Sequence, residues 1–307
     1  MSSSAPIALF VYNRPSHTAD TLNYLRQNPE SRETDLIVFS DGPRWPAQES
    51  NVAEVRALIS NVTGFRSVAV VQRPSNWGLA RSVISGVTEV LERFGRAIVL
   101  EDDMITSPQF LRYMNAALDR FESENRVGSV HAYMFPIEGL PDFFFMKGGD
   151  CWGWGTWHDR WRLFEPDGRL LLQRLKQAGL LNEFDRTGGD SMVRMLVDQI
   201  CGKNSSWYIR WHASLFLNGK LTLQPGRSFI HNIGVDNSGT HGGATNRFDV
   251  IPQASFTGLP ILDVVENRVA VEQIHTFCHG PRNRRWYKRL GRQIVDEIRT
   301  RKAIHYG

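Results

Sequence analysis

The chain has 307 residues, 41% of them hydrophobic and 22% charged, with a formal net charge of +4. That length and composition suit one large α/β domain or two small ones closely joined, with a core that needs no disulfide or metal staple. Three widely spaced cysteines, Cys151, Cys201 and Cys278, exclude a disulfide framework and a metal-ligand cysteine motif. No apolar run reaches the roughly 18 residues of a membrane span. The N-terminus has no basic segment leading into a long apolar one, so no signal peptide is expected.

Residues 6–12 (PIALFVY) predict a buried strand stopped by Asn13-Arg14-Pro15, followed by a helical pattern from Ser16 to Gln27. Residues 35–40 (DLIVFS) predict a second buried strand that ends at Asp41-Gly42-Pro43. A helix over 48–61 leads to a third strand, 67–72, and Trp77-Gly78-Leu79-Ala80 opens a helix that runs to Phe94. The fourth strand, 96–100, runs directly into Glu101-Asp102-Asp103, and a helix over 108–123 follows Ser107-Pro108. Strand and helix thus alternate four times, which predicts a largely parallel α/β sheet with its ligand crevice beyond the carboxyl ends of the strands. Further on, GGDCWGWGTWHDRW (148–161) is rich in Gly and Trp. A helical stretch over 168–202 breaks at Gly188-Gly189, residues 207–223 read as helix or strand, and 227–241 reads as a strand and a Gly-rich loop. The second half is expected to complete the same sheet.

Chemistry concentrates at the strand ends. Three consecutive carboxylates repel one another unless a cation or donor groups offset them. After a strand they suit a hard divalent cation such as Mg²⁺ or Mn²⁺, or else form a solvated acidic turn. Asp41-Gly42 can face a base or ribose or be a plain turn. Arg14 offers a planar fork for phosphate or marks a surface turn. The tryptophans around Trp154 belong to the core or line a sugar pocket. The loop 237–243 (NSGTHGG) is a lid over phosphates or an ordinary surface loop. The segment 282–302 carries nine basic residues against two acidic ones. It reads as a helix on anionic lipid, as a weaker nucleic-acid patch, or as a solvated helix; no nucleic-acid partner is expected.

The order of these features resembles the GT-A glycosyltransferases, and more closely the N-acetylglucosaminyltransferase I family with its bacterial relatives. The resemblance is carried by NWGLARSVISGVTEVLERFGRAIVLEDDMITSPQFLRYMNAALDRF (76–121), by GWGTWHDRW, and by SSWYIRW followed by Pro225, NIG and SGTH, in order over most of 6–245. It implies a GT-A, Rossmann-like nucleotide-sugar-binding fold: a nucleotide-sugar half over 1–125, an acceptor-side half of the same domain over 126–260, and a basic tail over 261–307. It also implies that Asp103 holds Mn²⁺ (or Mg²⁺), with His241 beside it. Asp102 would face the ribose, Glu101 the transferred sugar, Asp41 a uracil base and Arg14 the nucleotide. Arg81 and Trp154 join the donor set, and Gly239, Thr240 and His241 close over the diphosphate.

One position departs from the pattern. The family's catalytic base is an Asp just before the Trp of the SSW-like segment, where this chain has Ser205 and Ser206. A hydroxyl is a poor general base near neutral pH. Asp150 and Asp198 are the candidate substitutes, with Ser205 as the position the family would use. The expected activity is inverting transfer from a UDP-sugar to a glycan or glycolipid in surface polysaccharide or lipopolysaccharide assembly, in the cytoplasm or on the inner membrane face. A sugar-phosphate nucleotidyltransferase is the alternative enzyme, but Asn13-Arg14-Pro15 is no Gly-rich phosphate loop. A catalytically impaired binding protein is the other alternative, favoured by Ser205-Ser206.

Overall fold

A computed structural model of the chain describes residues 4–188, 191–236 and 245–279. Its centre is an eight-stranded sheet. The first four strands are β1 (Ile7–Val11), β2 (Asp35–Ser40), β3 (Ser67–Gln72) and β4 (Arg96–Glu101). They pair in parallel in the order β3-β2-β1-β4. Between them run α1 (Pro15–Leu25), α2 (Glu49–Ser60) and α3 (Leu79–Phe94), close to the predicted segments. The continuous apolar runs of β1, β2 and β4 reflect burial on both faces, as expected of strands with helices above and below. Ile7, Leu9, Leu36, Val38, Ile98 and Leu100 pack on one side with residues of α1, α2 and α4 (Phe110–Phe121). Ala8, Phe10, Ile37, Phe39, Ala97 and Val99 pack on the other with α3 and four tryptophans. This is the two-residue period of a strand read out in three dimensions.

A short strand that the sequence did not announce, β5 (Met104–Thr106), follows the acidic trio directly. The later strands are β6 (Val127–His131), β7 (Phe143–Lys147), β8 (Trp154–Trp157) and β9 (Leu221–Pro225). They extend the same sheet in the order β4-β8-β6-β9-β7. β8 is antiparallel to β4 and β6, β9 is parallel to β6, and β7 is antiparallel to β9. Six of the eight strands therefore share one direction. α5 (His158–Trp161) leaves β8 directly. The stretch 168–202 is three helices rather than one: α6 (Gly168–Gln177), α7 (Leu181–Phe184) and α8 (Met192–Ile200). Residues 207–223 split into α9 (Tyr208–Leu217) and the start of β9. The helices α6 to α9 close a core of their own around Leu175, Phe184, Leu196 and Ile209. The strand expected near 227 is β10 (Ile230–Asn232), which pairs antiparallel with β5 outside the main sheet. Finally α10 (Arg268–His279) lays Ala270, Val271 and Ile274 on Phe144 and Met146 of β7. Among the described residues no helix is long and apolar enough to cross a membrane. The basic segment 282–302 lies outside the described residues.

Candidate active site

Parallel pairing aligns the carboxyl ends of β1, β2 and β4. Phe10 stands opposite Glu101 and Val11 opposite Ser40, so the residues that follow each strand emerge along one edge. Pro15 begins α1 and needs no N–H there. Arg14, just before it, turns back over the end of β4. Its Nη2 donates to Asp103 Oδ2 at 2.8 Å and to Asp102 Oδ1. Burial works against the Arg14 charge, but Asp102 and Asp103 outweigh it and its pKa lies above the usual value. The backbone of the trio is pinned as well. The Thr21 hydroxyl donates to Asp102 O at 2.8 Å and accepts from Met104 N at 3.1 Å.

The three carboxylates meet different surroundings. Burial raises the pKa of Asp102, while Arg14 and the Tyr12 backbone N–H oppose the shift. Glu101 is pushed up to about 8, first by burial and then by the charges of Asp103 and Asp102, despite a hydrogen bond to the Trp207 side chain. Asp103 is enclosed from a third direction. The β5–β10 pairing brings Ile233 N to Asp103 O at 2.9 Å and lays Gly234 on the carboxylate. A Cβ at Gly234 would stand 2.0 Å from Asp103 Oδ2 and 3.0 Å from Arg14 Nη1, so this approach excludes any larger residue.

Asp102 Oδ2 and Asp103 Oδ1 are buried without a hydrogen-bond partner among the described residues. Buried acceptors of this kind are costly unless something satisfies them. With Glu101 pushed up to about 8, Asp102 and Asp103 against one guanidinium leave a net negative charge. An all-oxygen pair with that charge fits a hard divalent cation. Among the described residues no three His, Cys, Asp or Glu side chains converge to hold a metal by themselves. Such an ion commonly takes one or two carboxylates and completes its shell with water and substrate oxygens. The residues present therefore fit Mn²⁺ or Mg²⁺ at Asp102 and Asp103. His241, expected as a second metal group, lies outside the described residues, as do Gly239 and Thr240. The described chain leads up to them with Asp236, which pairs with His17 of α1 at 3.2 Å.

Several expected donor contacts take other places. Asp41 does sit at the end of β2, but its carboxylate accepts from Gly42 N at 2.9 Å, Asn76 Nδ2 at 3.1 Å, Trp77 N at 2.8 Å and Gly78 N at 2.8 Å. Those four donors fill its four lone-pair sites, so it closes the loop that opens α3 and is not free for a base. Arg81 lies over the Trp77 ring, 4.1 Å from its centroid, and Arg73 lies over the same ring at 4.0 Å. Trp154 is a correction: it has no exposed surface. Its ring stacks on Trp207 at 5.4 Å and packs near Trp211 and Trp161 at 5.8 Å each, so it is core and no platform for a sugar. Trp152, only half-buried, is the tryptophan of that segment nearer the crevice, standing edge-on to Tyr133 at 4.7 Å.

The three candidates for a base also separate. Asp198 is taken up by ion pairs with Arg194 at 3.0 Å and Lys203 at 3.5 Å at the end of α8, which removes it as a base. Ser205 is exposed and lines a groove of about 780 Å³ with Arg81, Gln199 and Arg210. The Ser206 hydroxyl accepts from Ile209 N at 3.3 Å and so caps α9. The SSW segment nevertheless reaches the trio through Trp207. Asp150 lies on the loop before β8. That loop crosses α9 so closely that a Cβ at Gly148 would stand 2.4 Å from His212 and one at Gly149 2.7 Å from Trp211. Asp150 and then the charges of Glu101 and Asp103, after burial, push up the thiol of Cys151. Asp150 thus stands beside a cysteine that also feels the trio. Its Oδ2 lies 3.2 Å from His131 Nδ1 and 3.5 Å from Gln224 Nε2. Sequence reading missed His131, Gln224, Trp207 and Gly234. Trp207 stands within SSWYIRW and Gly234 within NIG, so these two had a motif around them.

No protein-family model matches the chain, and no curated protein matches its sequence. Solved structures with a similar fold include a mannosyltransferase from Pyrobaculum calidifontis in complex with GDP-Man and Mn²⁺. That match has 14% identity and a TM-score of 0.30, and covers 42% of this chain and 36% of the other. TarS of S. aureus matches with 15% identity and a TM-score of 0.30, covering 47% of this chain and 24% of the other. A UDP-glucose pyrophosphorylase complexed with UDP-glucose matches with 10% identity and a TM-score of 0.33, covering 53% and 81%. Likeness at this level concerns the fold alone. The matched region spans well under two thirds of the first two chains, so it carries none of their activities to this one.

Proposed function

We propose that the protein is a metal-dependent glycosyltransferase of the GT-A type, taking a UDP-sugar as donor and a glycan or glycolipid as acceptor. One observation carries the proposal: a strand-end acidic trio, bridged by Arg14, is left with two unsatisfied buried carboxylate oxygens. Asp102 and Asp103 would hold Mn²⁺ or Mg²⁺, which when bound supplies Lewis-acid stabilisation of a departing diphosphate. Arg14 adds a fixed positive charge on the same side. Trp207 orients Glu101 towards the transferred sugar. Asp150 takes the proton of the acceptor hydroxyl. The oxygen then bonds the anomeric carbon as the bond from that carbon to the diphosphate oxygen breaks, its electron pair leaving with the diphosphate. One displacement of this kind inverts the anomeric centre. The setting that suits it is polysaccharide or lipopolysaccharide assembly at the inner membrane face.

A thermal-shift screen of nucleoside diphosphates and nucleotide sugars, with and without Mn²⁺, tests this. Stabilisation by a UDP-sugar that depends on Mn²⁺ and is lost in Asp103→Ala is expected. Stabilisation by a nucleoside triphosphate with a sugar phosphate, and none by a nucleotide sugar, would replace the transferase with a nucleotidyltransferase. Donor binding without hydrolysis or transfer would leave a binding protein.

A further inference from the structure

The carboxylate of Asp150 is held by two side chains from other parts of the chain. The parallel pairing of β6 with β9 sets Val130 opposite Leu223 and so brings the next residues, His131 and Gln224, side by side. His131 Nδ1 lies 2.8 Å from Gln224 Oε1 and 3.2 Å from Asp150 Oδ2. Gln224 Nε2 donates to that same Oδ2 at 3.5 Å. An amide oxygen only accepts, so Nδ1 carries the proton, and the amide turned this way offers its NH₂ to the carboxylate. The three groups close a ring in which each donor has an acceptor. His131 is almost wholly buried, and its Nε2 has no hydrogen-bond partner among the described residues. Its ring is therefore aimed by Nδ1 alone. The other carboxylate oxygen, Oδ1, accepts from Cys151 N at 3.0 Å. Asp150 keeps about a third of its side chain exposed.

We infer that His131, braced by Gln224, is a positioning residue that aims Asp150 at the acceptor hydroxyl. It does for this chain what a carboxylate on the SSW segment would do without help. The inference rests on the glycosyl-transfer proposal and on Asp150 as its base. A carboxylate on a glycine-rich loop loses rotamer freedom when the Gln224 amide, itself held by His131, donates to one of its oxygens with the imidazole 3.2 Å away, and catalytic groups are effective only when so held. The imidazole itself touches no substrate; the proton passes from the hydroxyl to Asp150.

The test uses the full chain with Mn²⁺ and a panel of UDP- and GDP-sugars. Water serves as the acceptor: its proton goes to Asp150, its oxygen to the anomeric carbon, and nucleoside diphosphate is released and counted. His131→Leu is expected to lower kcat about 10- to 100-fold with donor KM within about twofold. His131→Asn, whose amide N–H can stand near Nδ1, is expected to recover most of that loss. Thermal unfolding of both variants controls for folding. A Leu variant with full kcat, or an Asn variant no better than Leu at equal Tm, overturns the inference. If Asp150→Asn keeps full turnover, the base assignment falls instead. An arm that needs no turnover reads the ¹⁵N shifts of the His131 ring. An Nδ1–H tautomer whose proton resonance moves on Asp150→Asn is expected, and an Nε2–H tautomer, or a resonance indifferent to Asp150, overturns the inference.

Discussion

In one group, Asp102 and Asp103 are neighbours in the chain, and Arg14 reaches them from the turn after the adjacent parallel strand. In the other, His131, Asp150 and Gln224 come from three segments separated by up to 93 positions. The first group is electrostatically incomplete: two buried oxygens lack partners and Glu101 is pushed up to about 8. The second is nearly complete within itself, with every donor of its ring answered. A crowded set of like charges stores a demand for an outside cation, whereas a closed hydrogen-bond ring stores geometry. The first group is thus built to be finished by a ligand, and the second is built before any ligand arrives.

Trp154 gives the strongest way to break that contrast, because it supports both groups. It stacks on Trp207, which reaches Glu101, and on Trp211, beneath the Gly149 loop that carries Asp150. Trp154→Ala is expected to cost about 3–5 kcal/mol of stability, measured by urea unfolding, and to impair both groups together. Asp103→Ala should separate them: about 10²- to 10³-fold of Mn²⁺-dependent donor turnover is lost, while the His131 ring resonances stay in place. Asp41→Ala leaves the Asn76, Trp77 and Gly78 donors without their acceptor, so stability should fall by about 2–3 kcal/mol. A variant of undiminished stability with weakened uridine binding would restore the base-contact role instead. Gly234→Ala drives a Cβ into Asp103 and Arg14 and should cost about 1–3 kcal/mol, with Mn²⁺ affinity falling by isothermal titration and the second group unmoved.

The last effect is a slope with pH. Glu101 has a folded pKa of about 8 against an ordinary 4.5. The stability tied to its protonated form is therefore fully present below the lower value and is lost as pH rises through the upper one. In ion-free protein the melting temperature should decline across that window, and the stabilisation that Mn²⁺ confers should grow across it. Glu101→Gln should flatten both trends in differential scanning calorimetry.

Much of the first group was legible in the residues alone. Apolar runs of five or six residues ending in Asn-Arg-Pro, Asp-Gly-Pro and Glu-Asp-Asp mark buried parallel strands and their carboxyl edge, because local pattern and strand period carry that information without any long-range contact. Which charge meets which was not legible. Asp41 and Asp103 look alike at strand ends. Only folding showed that four loop donors consume the first, while Gly234 and Arg14 enclose the second. Trp154 and Trp152 likewise share one motif, but the first lies in β8 and is wholly buried, while the second precedes the strand and is only half-buried. Asp150 was a candidate from the residues alone, but its two partners left no local trace: His131 and Gln224 become neighbours only through the register of β6 on β9. The sequence by itself determined the layered α/β sheet and the position of its acidic edge, since both follow from short-range hydrophobic periodicity. Tertiary structure alone decided which carboxylates are spent on the fold and which remain for chemistry, since that depends on donors the fold brings together, from 35 positions away at Asp41 to 89 at Asp103.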